Sequence, residues 1–388
     1  MSQFETISIR TQTKQTEQKE HSTPLFLTSS FTFDDAAEGA ALFGNEIEGN
    51  IYSRFSNPNV DEFANKMNVL EGGEMTIATA TGMGAIFVCL AAHAKQGDHI
   101  LASKSLFGNT LHILNNILPN WGITASFVDL KDESQWEKSF QENTKWVFVE
   151  TPSNPTLDIV DIEWLAKLSH SKNAKLIVDN CFCTPYLQKP LLLGADLVIH
   201  SATKWIDGQG RVLGGSITGS KELVNPCFDF IRRTGISLSP FNAWVLSKSL
   251  ETLAVRMDRH CDNALKIAEF LERHPKIETV VYPFLKSYSQ NDIAQKQMTK
   301  GGGIVTAYLK GGKKEGAKFL DGLNIFSLTA NLGDTRSIAT HPSSTTHSKL
   351  STEDKLQVGI KDNLIRFSIG LEHVDDLIAD IELALNKI

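Results

Sequence analysis

The sequence lacks any long run of basic residues and any long run of apolar residues. The formal net charge of −7 is spread along 388 residues, so bulk electrostatics does not favour nucleic acid as a partner. The longest apolar stretch, Ala85 to Ala92, is far shorter than the roughly 20 residues that cross a membrane. The segment from Met1 to Lys19 also lacks the apolar core of a signal peptide. We therefore expect a cytoplasmic protein without nucleic-acid or membrane partners.

Cysteine is scarce, and its number is odd. Five cysteines in so long a chain indicate reduced thiols rather than a disulfide framework. Cys181 and Cys183 have no second Cys or His pair nearby in the sequence, which favours buried thiols over a zinc site. His341 and His347 enclose a proline and show no helical spacing, so we interpret that segment as a turn. The sequence therefore predicts no metal centre.

The chain does contain enough apolar sequence for a large core, since 41% of its residues are hydrophobic. Up to about His21 the sequence is polar and shows no period that would bury one face, which predicts an extended arm. From about Asp61, helix-like segments alternate with short apolar runs, as in a parallel sheet covered by helices. The predicted strands are Thr76–Ala80, His99–Ala102, Trp146–Glu150, Leu176–Asn180, Leu197–His200 and Gly215–Thr218. The predicted helices are Asp61–Leu70, Gly84–His93 and Asp161–His170, with a turn around Pro185–Gly194.

A second region begins near Asn242. Its first part, Trp244 to His274, is one long amphipathic segment, and strands are predicted near Thr279–Tyr282 and Ile304–Leu309. The pattern is that of an α/β protein with a mostly parallel central sheet and a smaller C-terminal α/β domain. We expect three parts: an N-terminal segment at residues 1–60, a large domain at 61–243 and a C-terminal domain at 244–388.

Three of the predicted strands end in residues that can take part in chemistry. Glu150 to Pro155 follow one strand, Asp179 and Asn180 follow the next, and His200 to Lys204 follow a third. Ligands of an open parallel sheet bind beyond the carboxyl ends of its strands. One pocket could therefore hold residues from all three.

Lys204 and Asp179 are the candidate reactive pair. Lys204 closely follows a hydrophobic strand, so partial burial would lower the pKa of its amine and suit it to imine chemistry. Taken alone, a lysine at such a position is usually a solvated surface residue. Asp179 changes this balance, because its carboxylate could keep the ring nitrogen of a cofactor protonated and make the ring an electron sink. The structural alternative for Asp179 is a helix cap or a loop carboxylate.

A candidate phosphate site lies where Thr79 to Gly84 joins a strand to a helix. Backbone N–H groups at the start of a helix bind anions, and glycine permits a close approach. The segment is neither a Walker loop nor a dinucleotide fingerprint, because no Gly-Lys-Ser/Thr follows and the third glycine is absent. A glycine pair that opens a packed helix explains the segment about as well. Ser201 and Thr203 could complete the site, since alternate residues of an extended segment face the same way.

In combination, these residues resemble the motifs of the Cys/Met-metabolism family of fold-type I pyridoxal-phosphate enzymes. The resemblance runs from about Ser29 to the C-terminus. The matching motifs are Tyr52-Ser53-Arg54, Val178-Asp179-Asn180, His200-Ser201-Ala202-Thr203-Lys204 and Arg366 to Glu372. Lys204 to Arg211, Cys181 to Pro185 and Thr329 to Asp334 are similar to the subgroup that exchanges the succinyl ester of homoserine for sulfide.

The resemblance implies pyridoxal 5'-phosphate as the cofactor and a role for each matched residue. Lys204 would hold the cofactor as a Schiff base, Asp179 would pair with the pyridinium, and Asn154 would hydrogen-bond the ring oxygen. The residues that would bind the phosphate are Gly82, Met83, Ser201 and Thr203 of one subunit and Tyr52 and Arg54 of its neighbour. The family therefore implies that the N-terminal segment completes a neighbouring site, in a tetramer built from two dimers.

The resemblance also implies how the substrate is held, and two positions depart from many relatives. Arg366 would bind the α-carboxylate, for which a planar guanidinium is better shaped than lysine. Phe107 stands where many relatives have a tyrosine that stacks on the cofactor; it can stack but cannot transfer protons. Asn331 stands where many relatives have a serine that contacts the substrate carboxylate, and its amide can still donate a hydrogen bond.

The function implied is γ-replacement on an O-acylhomoserine, with O-succinylhomoserine favoured and sulfide as the nucleophile. The product would be homocysteine, a step towards methionine. An O-acetylhomoserine sulfhydrylase, a cystathionine γ-synthase and a methionine or cystathionine γ-lyase remain alternatives on the same scaffold. A noncatalytic protein that retains the cofactor is disfavoured, because Lys204, Asp179 and Arg366 are all present.

Overall fold

The larger of two β-sheets organises the first part of the chain. The computed structural model describes residues 2–348 and 351–388. The strands of this sheet are β1 (Met75–Thr79), β2 (His99–Ser103), β3 (Thr124–Val128), β4 (Thr144–Glu150), β5 (Lys175–Asp179), β6 (Leu197–Ser201) and β7 (Gly215–Gly219). They lie in the order β1-β7-β6-β5-β4-β2-β3. β7 runs antiparallel to both of its neighbours, and the other neighbouring pairs are parallel. The predicted mostly parallel sheet is confirmed.

A smaller, mostly antiparallel sheet follows. Its strands are β8 (Ile277–Val281), β9 (Ile304–Leu309), β10 (Ser327–Leu328), β11 (Ile338–Thr340) and β12 (Leu364–Ser368). They lie in the order β10-β11-β12-β9-β8, with β10 and β11 parallel. The two strands predicted in this region correspond to β8 and β9.

Helices cover both sheets. They are α1 (Phe4–Arg10), α2 (Ala36–Phe43), α3 (Pro58–Glu71), α4 (Gly82–His93), α5 (Gly108–His112), α6 (Glu133–Ser139), α7 (Ile162–Ser171), α8 (Thr184–Leu187), α9 (Lys221–Thr234), α10 (Pro240–Leu250), α11 (Leu253–Arg273), α12 (Asn291–Gln297), α13 (Lys313–Gly322), α14 (Thr352–Gln357) and α15 (Val374–Leu385). A π-helical turn spans Ile113–Ile117, and short 3₁₀ helices span Leu118–Trp121, Pro190–Leu193 and Pro342–Ser344. The last of these, with the turn after it, lies between His341 and His347 as predicted.

The core lies on both faces of the larger sheet. Successive residues of a strand point to opposite faces. Accordingly, Ile177 packs among apolar side chains on the side of α4 and α9, whereas Leu176 and Val178 pack on the side of α7. Burial of both faces accounts for the nearly continuous apolar runs in the sequence. It also leaves the polar residues concentrated at the strand ends.

The N-terminal arm is not extended throughout, contrary to the prediction. Residues Phe4 to Arg10 form α1, which packs on α3. The ring of Phe4 lies 5.0 Å from that of Tyr186, and Ile7 also contacts the core. Two apolar residues three positions apart were too few to give a visible period. They are nevertheless sufficient to hold a helix of about two turns against an existing surface.

The predicted long segment from Trp244 to His274 is two helices, which corrects the second expectation. Helix α10 ends at Leu250 and α11 begins at Leu253. Between them Thr252 has φ −113° and ψ 8°, outside the helical region. The break lets α10 pack on α3 while α11 packs against β8 and β9 of the smaller sheet.

Two kinds of feature are absent from the described residues. No helix there has both the length and the apolar character that a bilayer crossing requires. Within the same residues, no group of three or more His, Cys, Asp or Glu side chains is arranged to hold a metal ion.

Candidate active site

A cavity of about 260 Å³ lies at the carboxyl ends of the central strands. It brings together nine of the residues predicted from the sequence: Gly82, Met83, Phe107, Asn154, Asp179, Ser201, Thr203, Lys204 and Arg366. The geometry of the parallel sheet therefore produces the single pocket that was expected. We call it the catalytic cavity.

Lys204 lies in the turn that follows β6. Its backbone N–H donates to Ser201, and its Nζ donates to Oδ1 of Asn331 at 2.8 Å. Burial lowers the pKa of the Lys204 amine, and the positive charge of Arg366 adds to this shift. A larger fraction of the amine is therefore neutral, and thus nucleophilic, than for an exposed lysine.

Asp179 ends β5 and is buried. Its Oδ1 accepts a hydrogen bond from the backbone N–H of Cys181 at 3.0 Å. Burial raises the pKa of Asp179 to about 6, while that N–H and the imidazole of His200 act in the opposite direction. His200 is itself fully buried and hydrogen-bonded to Glu71. Among the residues that the structure describes, no ion pair to Asp179 is formed, so its carboxylate is suited to a cationic ligand group.

Glu150 was not assigned a role from the sequence, although its place at the end of β4 was visible. It lies in register with Asp179 across β4 and β5, and its Oε2 accepts the backbone N–H of Phe107 at 3.0 Å. Burial and the negative charge of Asp179 raise the pKa of Glu150 well above its usual range. Glu150 therefore retains its proton and fixes the loop that carries Phe107. A glutamate after a strand gives no sequence signal that separates this role from surface exposure.

The predicted phosphate site is the start of α4. The hydroxyl of Thr81 accepts the N–H of Gly84 at 2.9 Å, whereas Gly82 and Met83 occupy the first turn, where no helical carbonyl reaches their N–H groups. Ser201 packs directly on Gly82: a Cβ added to Gly82 would lie 2.5 Å from the Cβ of Ser201. Bare backbone donors and a hydroxyl thus meet at one point. This is the arrangement that an anion requires.

Thr203 also lines the cavity, but by a different route from the one predicted. The extended segment ends at Ser201, and Thr203 lies in the turn that follows. Its hydroxyl donates to the carbonyl of Gly214 at 3.3 Å and accepts the N–H of Gly214 at 3.2 Å. The turn after β6, and not alternation along a strand, therefore brings Thr203 to the cavity.

Arg366 enters the cavity from β12 of the smaller sheet and is 1% exposed. Its Nη1 donates to Oδ1 of Asn154 at 3.0 Å, its Nη2 donates to the carbonyl of Asn331 at 3.1 Å, and its Nε is buried without a partner among the described residues. Burial lowers the pKa of Arg366 to about 10. The guanidinium therefore remains a cation at neutral pH. Asn331, which the family resemblance assigned to substrate binding, contacts both Lys204 and Arg366, and its contact with Lys204 was not predicted.

Tyr52 and Arg54 are not brought to the cavity of their own chain. Tyr52 is 41% exposed, and Arg54 donates to the carbonyl of Arg232 and stacks over the rings of Tyr52 and Phe55. Cys181 and Leu213 line the cavity without having been assigned a role. Burial raises the pKa of the Cys181 thiol, so it stays protonated.

The chain is similar over nearly its whole length to a known family of enzymes and to individual members with assigned activities. A family model described as "Cys/Met metabolism PLP-dependent enzyme" matches residues 5–386. An O-succinylhomoserine sulfhydrylase of Pseudomonas aeruginosa is 46% identical over 382 residues, which are 98% of this chain and 95% of that protein. An L-methionine gamma-lyase of Fusobacterium nucleatum subsp. polymorphum is 44% identical over 369 residues, 94% of this chain and 93% of that protein.

The fold also matches a solved structure over nearly its whole length. A putative O-acetylhomoserine (thiol)-lyase of Campylobacter jejuni superposes with a TM-score of 0.94 at 35% identity, covering 98% of this chain and 99% of that one. That structure holds N'-pyridoxyl-lysine-5'-monophosphate at position 205 of its own chain. The similarity therefore extends to the two-sheet architecture as well as to the motifs.

Proposed function

Because the chain belongs to the Cys/Met metabolism family of PLP-dependent enzymes, we propose that it exchanges the acyl ester of O-succinylhomoserine for sulfide and releases homocysteine. Its fold is that of fold-type I, and its cofactor is pyridoxal 5'-phosphate. The observation that carries the proposal is the meeting of Lys204, Asp179 and Arg366 in one cavity. We also propose that this reaction is a step of methionine biosynthesis and that the protein acts in the cytoplasm.

The residues present fit this cofactor. A phosphate needs unpaired backbone donors, and Gly82 and Met83 offer them beside the hydroxyl of Ser201. A pyridine nitrogen needs a carboxylate, and Asp179 is buried without an ion pair among the described residues. An aldehyde needs an amine, and Lys204 reaches the same cavity. We assign the remaining cofactor contacts to Phe107 by stacking and to Asn154 and Thr203 by hydrogen bonding.

When bound, the cofactor supplies an electron sink that acidifies the hydrogens near the amino-bearing carbon. The Lys204 Nζ would remove the proton from the substrate Cα, pass it to the bound cofactor so that the amine is neutral again, and then remove one proton from Cβ; the reverse transfers would follow the exchange. Arg366 binds the α-carboxylate and fixes which C–H bond faces Lys204. Succinate leaves from Cγ, and the sulfide sulfur takes its place. Phe107 has no transferable proton, so these transfers fall to Lys204.

A γ-lyase acting on L-methionine is the second candidate, because the 44% identical relative carries that name. In the exchange reaction a sulfur nucleophile bonds to Cγ after the leaving group departs. In the lyase reaction no nucleophile adds, and water releases 2-oxobutanoate and ammonia. We would assay O-succinylhomoserine and O-acetylhomoserine with sulfide, with cysteine and with neither, and L-methionine alone. Homocysteine should dominate with sulfide. If 2-oxobutanoate and ammonia are the main products in every mixture, the exchange reaction is rejected.

The role of Lys204 is tested by Lys204→Ala. The amine is the covalent attachment point and the proton carrier, so turnover should fall by roughly a thousand-fold or more. The visible absorption of the lysine-bound cofactor should disappear, and borohydride should no longer fix the cofactor to the peptide that contains position 204. Lys318→Ala on the exposed face of α13 is the matched control. Unchanged turnover in Lys204→Ala would contradict the assignment.

We further propose that residues 1–60 form a segment that completes the site of a neighbouring subunit, alongside a large domain at 61–243 and a C-terminal domain at 244–388. Tyr52 and Arg54 would reach the phosphate of the neighbour, since they lie away from the cavity of their own chain. In the single chain this segment exposes the large apolar side chains of Leu27, Phe43 and Ile47. Such exposure is expected where a second subunit covers the surface. A homotetramer of two such dimers is the assembly we expect.

A further inference from the structure

A second cavity adjoins the catalytic cavity. It has a volume of about 830 Å³ and shares Phe107, Ala330 and Thr346 with the catalytic cavity. A group held near Lys204 can therefore extend past Phe107 into this space. We call it the side cavity, and its position beside the reacting centre makes it a candidate for the part of the substrate that leaves.

The side cavity is lined by side chains that can donate hydrogen bonds, and no carboxylate is found among its described lining residues. Its lining includes Lys104, two histidines and three asparagines, and among its described residues there is neither Asp nor Glu. Lys104 follows directly after β2, at the same edge of the sheet as the catalytic residues, and its backbone N–H is fixed by the carbonyl of Val128 at 2.8 Å. The Lys104 side chain is half-buried, and its ammonium forms no ion pair or hydrogen bond within the described residues.

Lys104 is the only lysine or arginine among the described residues that line the side cavity. Burial lowers the pKa of His347 to about 4, and the charges of Arg366 and Lys355 add to the effect, so His347 is neutral at neutral pH. The Nδ1 of His112 accepts a hydrogen bond from the amide of Asn116 at 3.1 Å, so a neutral His112 carries its proton on Nε2 as a donor. A neutral His112 ring thus supplements the charge of Lys104 with an Nε2–H donor.

The same cavity has an apolar side, formed by Leu111, Phe127 and Val358. A short alkyl chain that ends in a carboxylate matches this combination, because its carbons can contact the apolar side while its charge meets an ammonium and neutral donors. A succinyl ester has this form. An acetyl ester fills less of the space and brings no charge to Lys104.

We propose that the side cavity binds the acyl group of the substrate and that Lys104 pairs with the free carboxylate of the succinyl ester, so that Lys104 selects succinyl over acetyl. This inference rests on the proposed function, since it assigns the leaving group of that reaction. Lys104 is then a substrate-binding residue that contributes to specificity. It has no part in the proton transfers at Lys204.

The test is the ratio of kcat/KM for O-succinylhomoserine to that for O-acetylhomoserine, measured on the holoenzyme with sulfide. Lys104→Met removes the charge and keeps the length of the side chain. It should reduce kcat/KM for the succinyl ester by roughly 10- to 100-fold, mainly through KM, and change the acetyl value by less than about threefold. The methyl ester of the succinyl substrate, which has nearly the same size but no charge, should behave like the acetyl substrate in both proteins.

Three controls keep the outcomes distinct. Lys104→Arg should retain the preference for succinyl, and Lys318→Met removes one charge from the surface of α13 without touching the cavity. The absorption of the bound cofactor should be unchanged in Lys104→Met, which shows that the catalytic cavity is intact. If the ratio of kcat/KM for the two esters is unchanged in Lys104→Met, or if the wild type prefers the acetyl ester, the inference about Lys104 is wrong and the proposed function still stands. If the wild type forms no homocysteine from either ester, the proposed function fails, and the same ratio measured by 2-oxobutanoate release still tests Lys104.

Discussion

At the scale of single residues, two buried carboxyl groups at the edge of the larger sheet differ in pKa, so that one ionises more readily than the other. Glu150 and Asp179 lie opposite each other in register. Burial raises the pKa of both, and the charge of Asp179 adds to the shift at Glu150. Two carboxylates at such a site do not both ionise readily. Asp179 is therefore the group that ionises, near pH 6, and Glu150 stays neutral. Because Asp179 is the carboxyl group that ionises, it is the one that can pair with the cationic ring of the cofactor.

The apoprotein should become less stable as Asp179 ionises. Its folded-state pKa of about 6 lies above the ordinary 3.8, so the carboxyl favours the folded state below about pH 4 and this contribution is lost as the pH rises through 6. Asp179→Asn removes the titration and retains an oxygen for the N–H of Cys181. Between pH 4 and pH 7 the free energy of unfolding of the wild-type apoprotein should fall by on the order of 2 kcal/mol relative to Asp179→Asn.

Chemical denaturation of the two apoproteins at a series of pH values measures this difference. Asp375→Asn, at a side chain that is 80% exposed, is the matched control and should follow the wild type. In the holoprotein the order should reverse, because a cationic ring nitrogen stabilises the ionised Asp179. Parallel curves for the wild-type and Asp179→Asn apoproteins would show that Asp179 is not the group that titrates.

The residues that sequence reasoning brought together are those at strand ends. Lys204, Asp179 and Asn154 each follow a buried strand, and parallel strands present their carboxyl ends at one edge. The contact of Lys204 with Asn331 could not be predicted in this way. Asn331 lies 127 positions away in a loop of the second region, and its place depends on how the smaller sheet packs.

At the scale of elements, apolar runs located eight of the strands, β1, β2 and β4 to β9, within a few residues. The strand β3 was missed because it lies at the edge of the sheet, where most of its residues are partly exposed and the apolar run is interrupted. β12 was missed for another reason, since Arg366 interrupts its apolar run even though every residue of the strand is buried. A buried arginine at a binding site breaks the pattern that marks a strand.

The start of α4 makes its own prediction. A Cβ at position 82 would lie 2.5 Å from the Cβ of Ser201 on the neighbouring β6, so Gly82→Ala must separate the helix from the strand where the phosphate is expected. The apparent dissociation constant of the cofactor, measured by its absorption, should rise by about 10-fold or more. Gly312→Ala is the matched control: it also adds a methyl at a helix start, and the nearest atom, Oε2 of Glu315, is 3.9 Å away. Equal cofactor affinity in the two variants would mean that the phosphate does not bind at Gly82.

At the scale of the whole molecule, the catalytic cavity joins parts of the chain that no short motif spans. The larger sheet supplies Lys204 and Asp179, the smaller sheet supplies Arg366, and the segment before residue 61 keeps Tyr52 and Arg54 away from the cavity. Periodicity in the sequence predicted that Lys204 and Asp179 lie together. The roles of Arg366, Tyr52 and Arg54 came from the family resemblance, because periodicity within one chain carries no information on how sheets or subunits meet.

Subunit complementation tests the proposed shared site. If Lys204 of one subunit and Arg54 of its neighbour form one site, Lys204→Ala and Arg54→Ala chains are each inactive alone, but a mixed dimer contains one intact site. Random reassociation of equal amounts gives half mixed dimers with one working site of two, so activity should recover to about one quarter of the wild-type value. Mixing Lys204→Ala with Asp179→Asn chains is the control. Lys204 and Asp179 of a site come from the same chain, so every site of this mixed dimer lacks one of them and no activity should recover. Recovery in neither mixture, with mixed dimers demonstrated by mass spectrometry, would place Arg54 outside the neighbouring site.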